Sequence, residues 1–116
     1  MPRKTFHLAA EQIRPLANGL GSCLATDRIV VDGKRVGYCY REAPDSDRDS
    51  GWRFFAGDEV QEYVENPRNL GLYDVNTVAN CDPQIIPLLS SPEGSAFERN
   101  SSGAFVATSF NKPGEA

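Results

Sequence analysis

Ser50-Gly51-Trp52-Arg53-Phe54-Phe55-Ala56-Gly57-Asp58-Glu59 is the stretch whose reading decides the fold. It holds the chain's only tryptophan and two of its six phenylalanines. Successive side chains of a strand point to opposite faces, so Trp52, Phe54 and Ala56 face one way and Arg53, Phe55 and Gly57 the other. Large apolar groups on both faces predict a strand inside a sheet, with cover on each side. At Gly57 the hydrophobic period lengthens from two to about 3.6, and Val60, Tyr63 and Val64 form an i, i+3, i+4 face of a helix. Asp58 is placed to cap that helix, with Gln61 three residues on as the second half of a capping-box-like pair. Glu59, Glu62 and Glu65 fall on its exposed side, Glu59 near the favourable end of the helix dipole. Asn66-Pro67 ends it, because a residue before proline is pushed out of the helical region.

Working back toward the N-terminus, residues 43–50 carry a proline, four charges and no apolar side chain beyond Ala43, which predicts a surface loop. Asp45, Asp47 and Asp49 have the opening spacing of a calcium loop. Ser50 stands where that loop needs glycine, and residues 53–56 offer no ligand, so the calcium reading fails. Residues 35–42 read as a strand, with Val36, Tyr38 and Tyr40 on one face and Gly37, Cys39 and Arg41 on the other. Asp32-Gly33 before it predicts a hairpin turn, since a type I′ turn needs positive φ at both central positions. Residues 22–26 form a short apolar strand, and residues 27–31 either continue it or make a single turn. Residues 8–16 carry a loose helical stripe limited by Pro15, and the glycines at 19 and 21 break it.

Toward the C-terminus, residues 69–71 predict a turn, residues 72–75 an extended piece and residues 76–80 one helical turn. Asp82-Pro83 reads as a cap followed by a first helical position, where the missing proline N–H costs nothing. Ile85, Ile86, Leu88 and Leu89 bury the short helix that follows. Residues 96–98 and 104–106 flank Asn100-Ser101-Ser102-Gly103, a good hairpin turn. The resulting expectation is one α+β domain: an antiparallel sheet of about five strands with short helices packed on it. Residues 1–20 form an N-terminal helical segment, residues 21–110 the domain, and residues 111–116 a flexible tail.

Composition narrows the function. The 116 residues fit one domain large enough for an unstapled core. No apolar run approaches a membrane span and no signal peptide is evident, so the expected location is the cytoplasm. Net charge is −4 and the twelve basic residues are scattered, which argues against nucleic acid and fits a basic protein partner. Cys23, Cys39 and Cys81 are an odd count without C-x-x-C spacing, which argues against a disulfide framework and a zinc site. The sequence sets no oligomeric state.

No catalytic constellation stands out. His7 is the only histidine and lies near the terminus, away from any triad pattern. Asp58 and Asp74 both sit beside turns near aromatic residues, and convergence on one cleft would make them acid–base groups or magnesium ligands. The plainer reading makes Asp58 and Asp82 helix caps and the glutamates a solvated face. Arg53 either recognises a carboxylate or pairs internally with Asp58, Asp74 or Glu42. An Arg, Trp and Tyr cluster is also the composition of an interface hot spot.

Several runs resemble the bacterial immunity protein 33 domain family, first catalogued as a domain of unknown function. They are Tyr40-Arg41-Glu42, the central stretch from Ser50 to Glu59, Asn69-x-Gly71-x-Tyr73-Asp74-x-Asn76-Thr77, Asp82-Pro83-x-Ile85-Ile86-x-Leu88-Leu89 and Gly94-Ser95-Ala96-Phe97-Glu98-Arg99. The resemblance implies a small α+β protein that binds and neutralises a cognate protein toxin, without established catalytic residues, metal or cofactor. The expected partner-binding residues are Trp52, Arg53, Asp58, Glu59, Glu62, Tyr73 and Asp74. The rival is a small ligand-binding domain or enzyme that uses the clustered carboxylates with Arg53.

Overall fold

A stacked pair, Trp52 on Phe54 with ring centroids 5.8 Å apart, lies at the centre of the molecule. The computed structural model describes residues 4–109. The strands are β1 (Ser22–Thr26), β2 (Tyr38–Arg41), β3 (Asp49–Phe55), β4 (Leu70–Asp74), β5 (Ala96–Arg99) and β6 (Phe105–Ala107). They form one six-stranded sheet in the order β4-β1-β3-β2-β5-β6. The helices are α1 (Asp27–Val30), α2 (Gln61–Glu65) and α3 (Val75–Cys81), with 3₁₀ turns at Ala10–Gln12, Pro67–Asn69 and Pro83–Leu88. The class is α+β, as the patterning predicts.

The sheet is mixed rather than purely antiparallel. β1 and β3 run parallel, while the other neighbours are antiparallel. The cause lies at Asp32-Gly33. No hairpin forms there; α1 occupies the preceding residues, and Gly33, at φ +78°, stops it. The Gly33 and Lys34 N–H groups donate back to the carbonyls of Ile29 (3.2 Å) and Arg28 (2.9 Å), a glycine-terminated helix end. The chain then travels on to β2, which pairs with the far side of β3.

β3 sits between β1 and β2 and its alternation is as predicted. Trp52 and Phe54 join Cys23, Ala25 and Cys39 on the face covered by α1, α3 and the 3₁₀ turn at Pro83–Leu88. Ile29, Val30, Val75, Val78, Ala79 and Ile85 close that core. Full burial of an aromatic or branched side chain is worth roughly 1.5–3 kcal/mol, so this face supplies most of the cohesion. On the other face Phe55 packs with Tyr40 and Ala96, flanked by Tyr38, Val64 and Leu70. Gly51 has φ +87°, and a Cβ there would lie 2.2 Å from the Glu42 carbonyl oxygen. It marks an irregularity in which the β1–β3 register shifts between Ser22↔Asp49 and Leu24↔Arg53.

The remaining elements follow local chemistry, with two departures. The N-terminal helix expected over residues 8–16 is only the turn at Ala10–Gln12. The Asn76 carboxamide oxygen accepts from the N–H groups of Leu16 and Ala17, and that of Asn80 from Arg14, fixing this segment in a non-helical path. α2 begins at Gln61 with Val60 as its uncapped N-terminal neighbour, so Asp58 is not a cap. Asp82 does cap the turn beginning at Pro83, and Asn100 closes the β5–β6 hairpin by accepting from the Ser102 and Ala104 N–H groups. The tail expected at residues 111–116 lies outside the described residues.

Candidate partner-binding site

An open groove of about 620 Å³ lies where β3 leaves the sheet, beside the start of β2 and the end of β5. Tyr38, Phe55 and Val64 supply its apolar lining, and Asp58, Glu59 and Glu98 its acidic groups. Register places Glu98 beside Tyr38, its Cα partner across β2 and β5, with the Glu98 side chain exposed. Glu62 stands exposed in the first turn of α2.

Glu59 shapes this end of the groove. Its carboxylate accepts from the Thr26 hydroxyl (2.5 Å) and from the N–H groups of Ala56 (2.7 Å) and Gly57 (2.8 Å). One side chain thereby ties the turn after β3 to the end of β1 and satisfies donors that the end of a strand leaves free. Asp58 is held differently. Arg28 donates from Nε (3.2 Å) and Nη2 (2.5 Å) to its two oxygens, and also reaches Asp32 at 2.9 Å. Hydrogen bonds from Arg28 hold the Asp58 carboxyl below its ordinary pKa, so it stays anionic on the rim.

The expected contact residues divide into three groups. Trp52 is 1% exposed and belongs to the helix-covered core. Arg53 is 2% exposed and internally paired: it grips Asp49 with two nitrogens, at 2.9 and 2.8 Å, and Glu42 through Nε at 2.6 Å. Asp58 and Glu59 meet in the groove, with Glu62 on the adjoining helix. Tyr73 and Asp74 are elsewhere. Asp74 pairs with Ser22 at the start of β1, whereas the groove lies past its end at Thr26. Four strand steps of about 3.3 Å separate these levels, roughly 13 Å. Asp74 caps α3 by accepting from the Asn76 N–H at 2.8 Å, and Tyr73 packs edge-on against Phe6.

Asp58, Asp74 and Arg53 therefore do not converge, and the arrangement needed for acid–base chemistry by this set is not formed. Among the described residues no group of three or more His, Cys, Asp or Glu side chains could hold a metal ion. The thiols of Cys23 and Cys39 are buried and their pKa values raised by burial, that of Cys39 to about 12. Such thiols are inert, as expected of small buried hydrophobes. Reading the residues alone missed Glu98 and Tyr38, which only strand register brings together, and Asp49, the main partner of Arg53.

The match to known families settles the membership question. Residues 23–109, three quarters of the chain, match the Immunity protein Imm33 domain. The chain belongs to this immunity-domain family. The matched region runs from β1 through β6 and contains the groove. No curated protein and no solved structure matches the chain. Among the described residues, no helix is long and apolar enough to cross a membrane.

Proposed function

We propose that this Imm33-domain protein binds and neutralises a cognate protein toxin in the bacterial cytoplasm, and that the groove at the end of β3 receives a basic segment of that toxin. The observation that carries the reading is an aromatic-lined groove with Asp58, Glu59 and Glu98 around it, in a member of an immunity-domain family. Acidic groups speed encounter with a cationic partner and select against others, while apolar lining supplies the affinity that exposed charges do not. Asp58, Glu59, Glu62 and Glu98 are the contact groups, with Tyr38 beneath them. Trp52 and Arg53 act from below by holding β3 in place.

The test is binding and neutralisation. A toxin encoded beside the chain is co-expressed with it, and affinity is measured by titration calorimetry for the wild type and for Glu98→Lys and Asp58→Lys. Each reversal weakens binding at least roughly tenfold, and the loss shrinks as salt rises. Neutralisation with affinities unchanged in both folded variants refutes the groove. Failure of the wild type to bind or protect refutes the toxin reading itself.

A further inference from the structure

Two arginines share one neutral oxygen beside the 3₁₀ turn at Pro83–Leu88. Arg35 Nη2 and Arg99 Nη1 each donate to Gln84 Oε1 at 2.6 Å, so the two nitrogens lie within twice that distance of each other. Like charges so close repel, and a neutral amide oxygen offsets the repulsion less than a carboxylate would. One carboxylate is at hand. Asp82, 4% exposed, accepts from Arg99 Nη2 at 2.6 Å, and its oxygens also accept from the N–H groups of Val36 and Gln84. Arg35 is exposed and forms no ion pair among the described residues, so the cluster carries one positive charge in excess. Burial lowers the Arg99 pKa; Asp82 opposes that shift and the Arg35 charge adds to it.

The three side chains are held unequally. Arg99 Nε donates to the Val36 carbonyl at 2.9 Å and Nη1 to the Gly103 carbonyl at 2.7 Å, and its guanidinium lies 4.2 Å over the Phe105 ring. Arg35 spends one nitrogen on Gln84 and leaves its other donors to solvent. A Cβ on Gly103 would lie 3.7 Å from Arg35 Nη2, which places that guanidinium over the β5–β6 hairpin. Gln84 is exposed, and among the described residues its side chain is held only through the shared oxygen. Gln84 and Arg99 also line an open cleft of about 360 Å³ whose apolar walls are Pro87, Leu88, Ala104 and Phe105. A concave apolar site with a few convergent polar groups is the usual form of a small-molecule site.

We propose that Arg35 and Arg99 bind the carboxylate or phosphate group of a small organic acid whose apolar part lies over Pro87, Leu88 and Phe105. The anionic head takes the place of the Gln84 oxygen. It accepts from the same two nitrogens, makes both hydrogen bonds ion-to-ion and cancels the excess charge. Arg99 is already fixed in place, so little ordering falls on binding, and the exposed Gln84 side chain turns into solvent. The net charge of −4 repels anions in general, so attraction is local to this pair. The site does not rest on the toxin reading. Glu98 and Arg99 are neighbours on β5 and their side chains leave opposite faces, Glu98 toward the groove and Arg99 toward the turn at Pro83–Leu88.

Titration calorimetry of the full chain with benzoate, phenyl phosphate, inorganic phosphate and neutral benzamide tests this. Benzoate or phenyl phosphate binds with Kd below about 10 mM, and the tighter of the two identifies the head group. Benzamide, of the same shape without the charge, binds at least roughly tenfold more weakly, and added salt weakens the acids alone. Arg35→Gln costs at least roughly tenfold in affinity. Gln84→Glu supplies an internal carboxylate and abolishes binding, whereas Gln84→Ala keeps it. All three substitutions are at exposed positions, and circular dichroism establishes that the variants stay folded. No binding by either aromatic acid overturns the inference, as does binding indifferent to Arg35→Gln and Gln84→Glu. Inorganic phosphate binding as tightly as phenyl phosphate overturns the role of the cleft.

Discussion

The two faces of the sheet solve the same packing problem with opposite chemistry. One face is sealed by helices, and its central side chains, Cys23, Ala25, Cys39, Trp52 and Phe54, are apolar and at most 1% exposed. The other buries a guanidinium beside Tyr40 and Phe55, holding it with Asp49 and Glu42. Apolar burial is non-directional and tolerates substitutions of similar volume, whereas a buried ion group is tied to its hydrogen-bond geometry. The difference teaches that β3 is fixed twice: Trp52 and Phe54 hold it against the helices, and Arg53 ties it to β2 and to its own beginning.

The largest effect is expected on the sealed face. Trp52→Ala leaves a cavity among residues that cannot all collapse into it and costs about 3–5 kcal/mol in denaturant unfolding. Arg53→Leu tests the other face. It strands two carboxylates and costs about 3 kcal/mol, while the triple replacement Asp49→Asn, Glu42→Gln, Arg53→Leu regains much of that. A triple variant no more stable than Arg53→Leu alone would show that the arginine contributes packing rather than charge.

Acid separates the faces without mutation. Hydrogen bonds from Arg53 hold the Asp49 carboxyl well below the ordinary carboxylate range. A depressed folded-state pKa contributes stability above the unfolded value near 4 and loses it as pH falls toward the folded value. Unfolding free energy should therefore decline below about pH 4 in the wild type and decline less in Asp49→Asn, whereas Trp52→Phe keeps the wild-type slope. Two smaller effects complete the series. Asp74→Ala loses the α3 cap and costs about 1 kcal/mol, read as a shift in denaturation midpoint. In thiol titration of the folded protein Cys81, only partly buried, reacts before Cys23 and Cys39; prior reaction of either strand cysteine would mean that the sealed face opens.

Much of the fold is legible where one residue has one structural use. Alternation from Trp52 to Phe55 predicts an inner strand with two buried faces, Asn66-Pro67 ends a helix, and Asp82-Pro83 begins a turn. Asp32-Gly33 misleads because glycine at positive φ serves a helix end as readily as a hairpin, and the four-residue α1 is too short to show its period. Asp58 misleads for a related reason: an acidic residue before a helix reads as a cap, but the side chain turns to Arg28, thirty residues back in the chain. The groove is half legible. Its Asp58 and Glu59 lie together in sequence, while Glu98 joins them only through the β2–β5 register.

The parallel contact between β1 and β3 has a kinetic consequence. β1 gains its inner neighbour only after α1, β2 and the loop before Asp49 have been made, and its outer neighbour only with β4. Both partnerships close long stretches of chain before returning any contact energy, which slows folding and leaves the first strand bare in the meantime. On the ribosome Cys23, Leu24 and Ala25 wait through synthesis of β2 and β3 for a surface to cover them. Until then the segment is an unpaired apolar strand, the kind of transiently exposed surface that makes folding intermediates prone to aggregate.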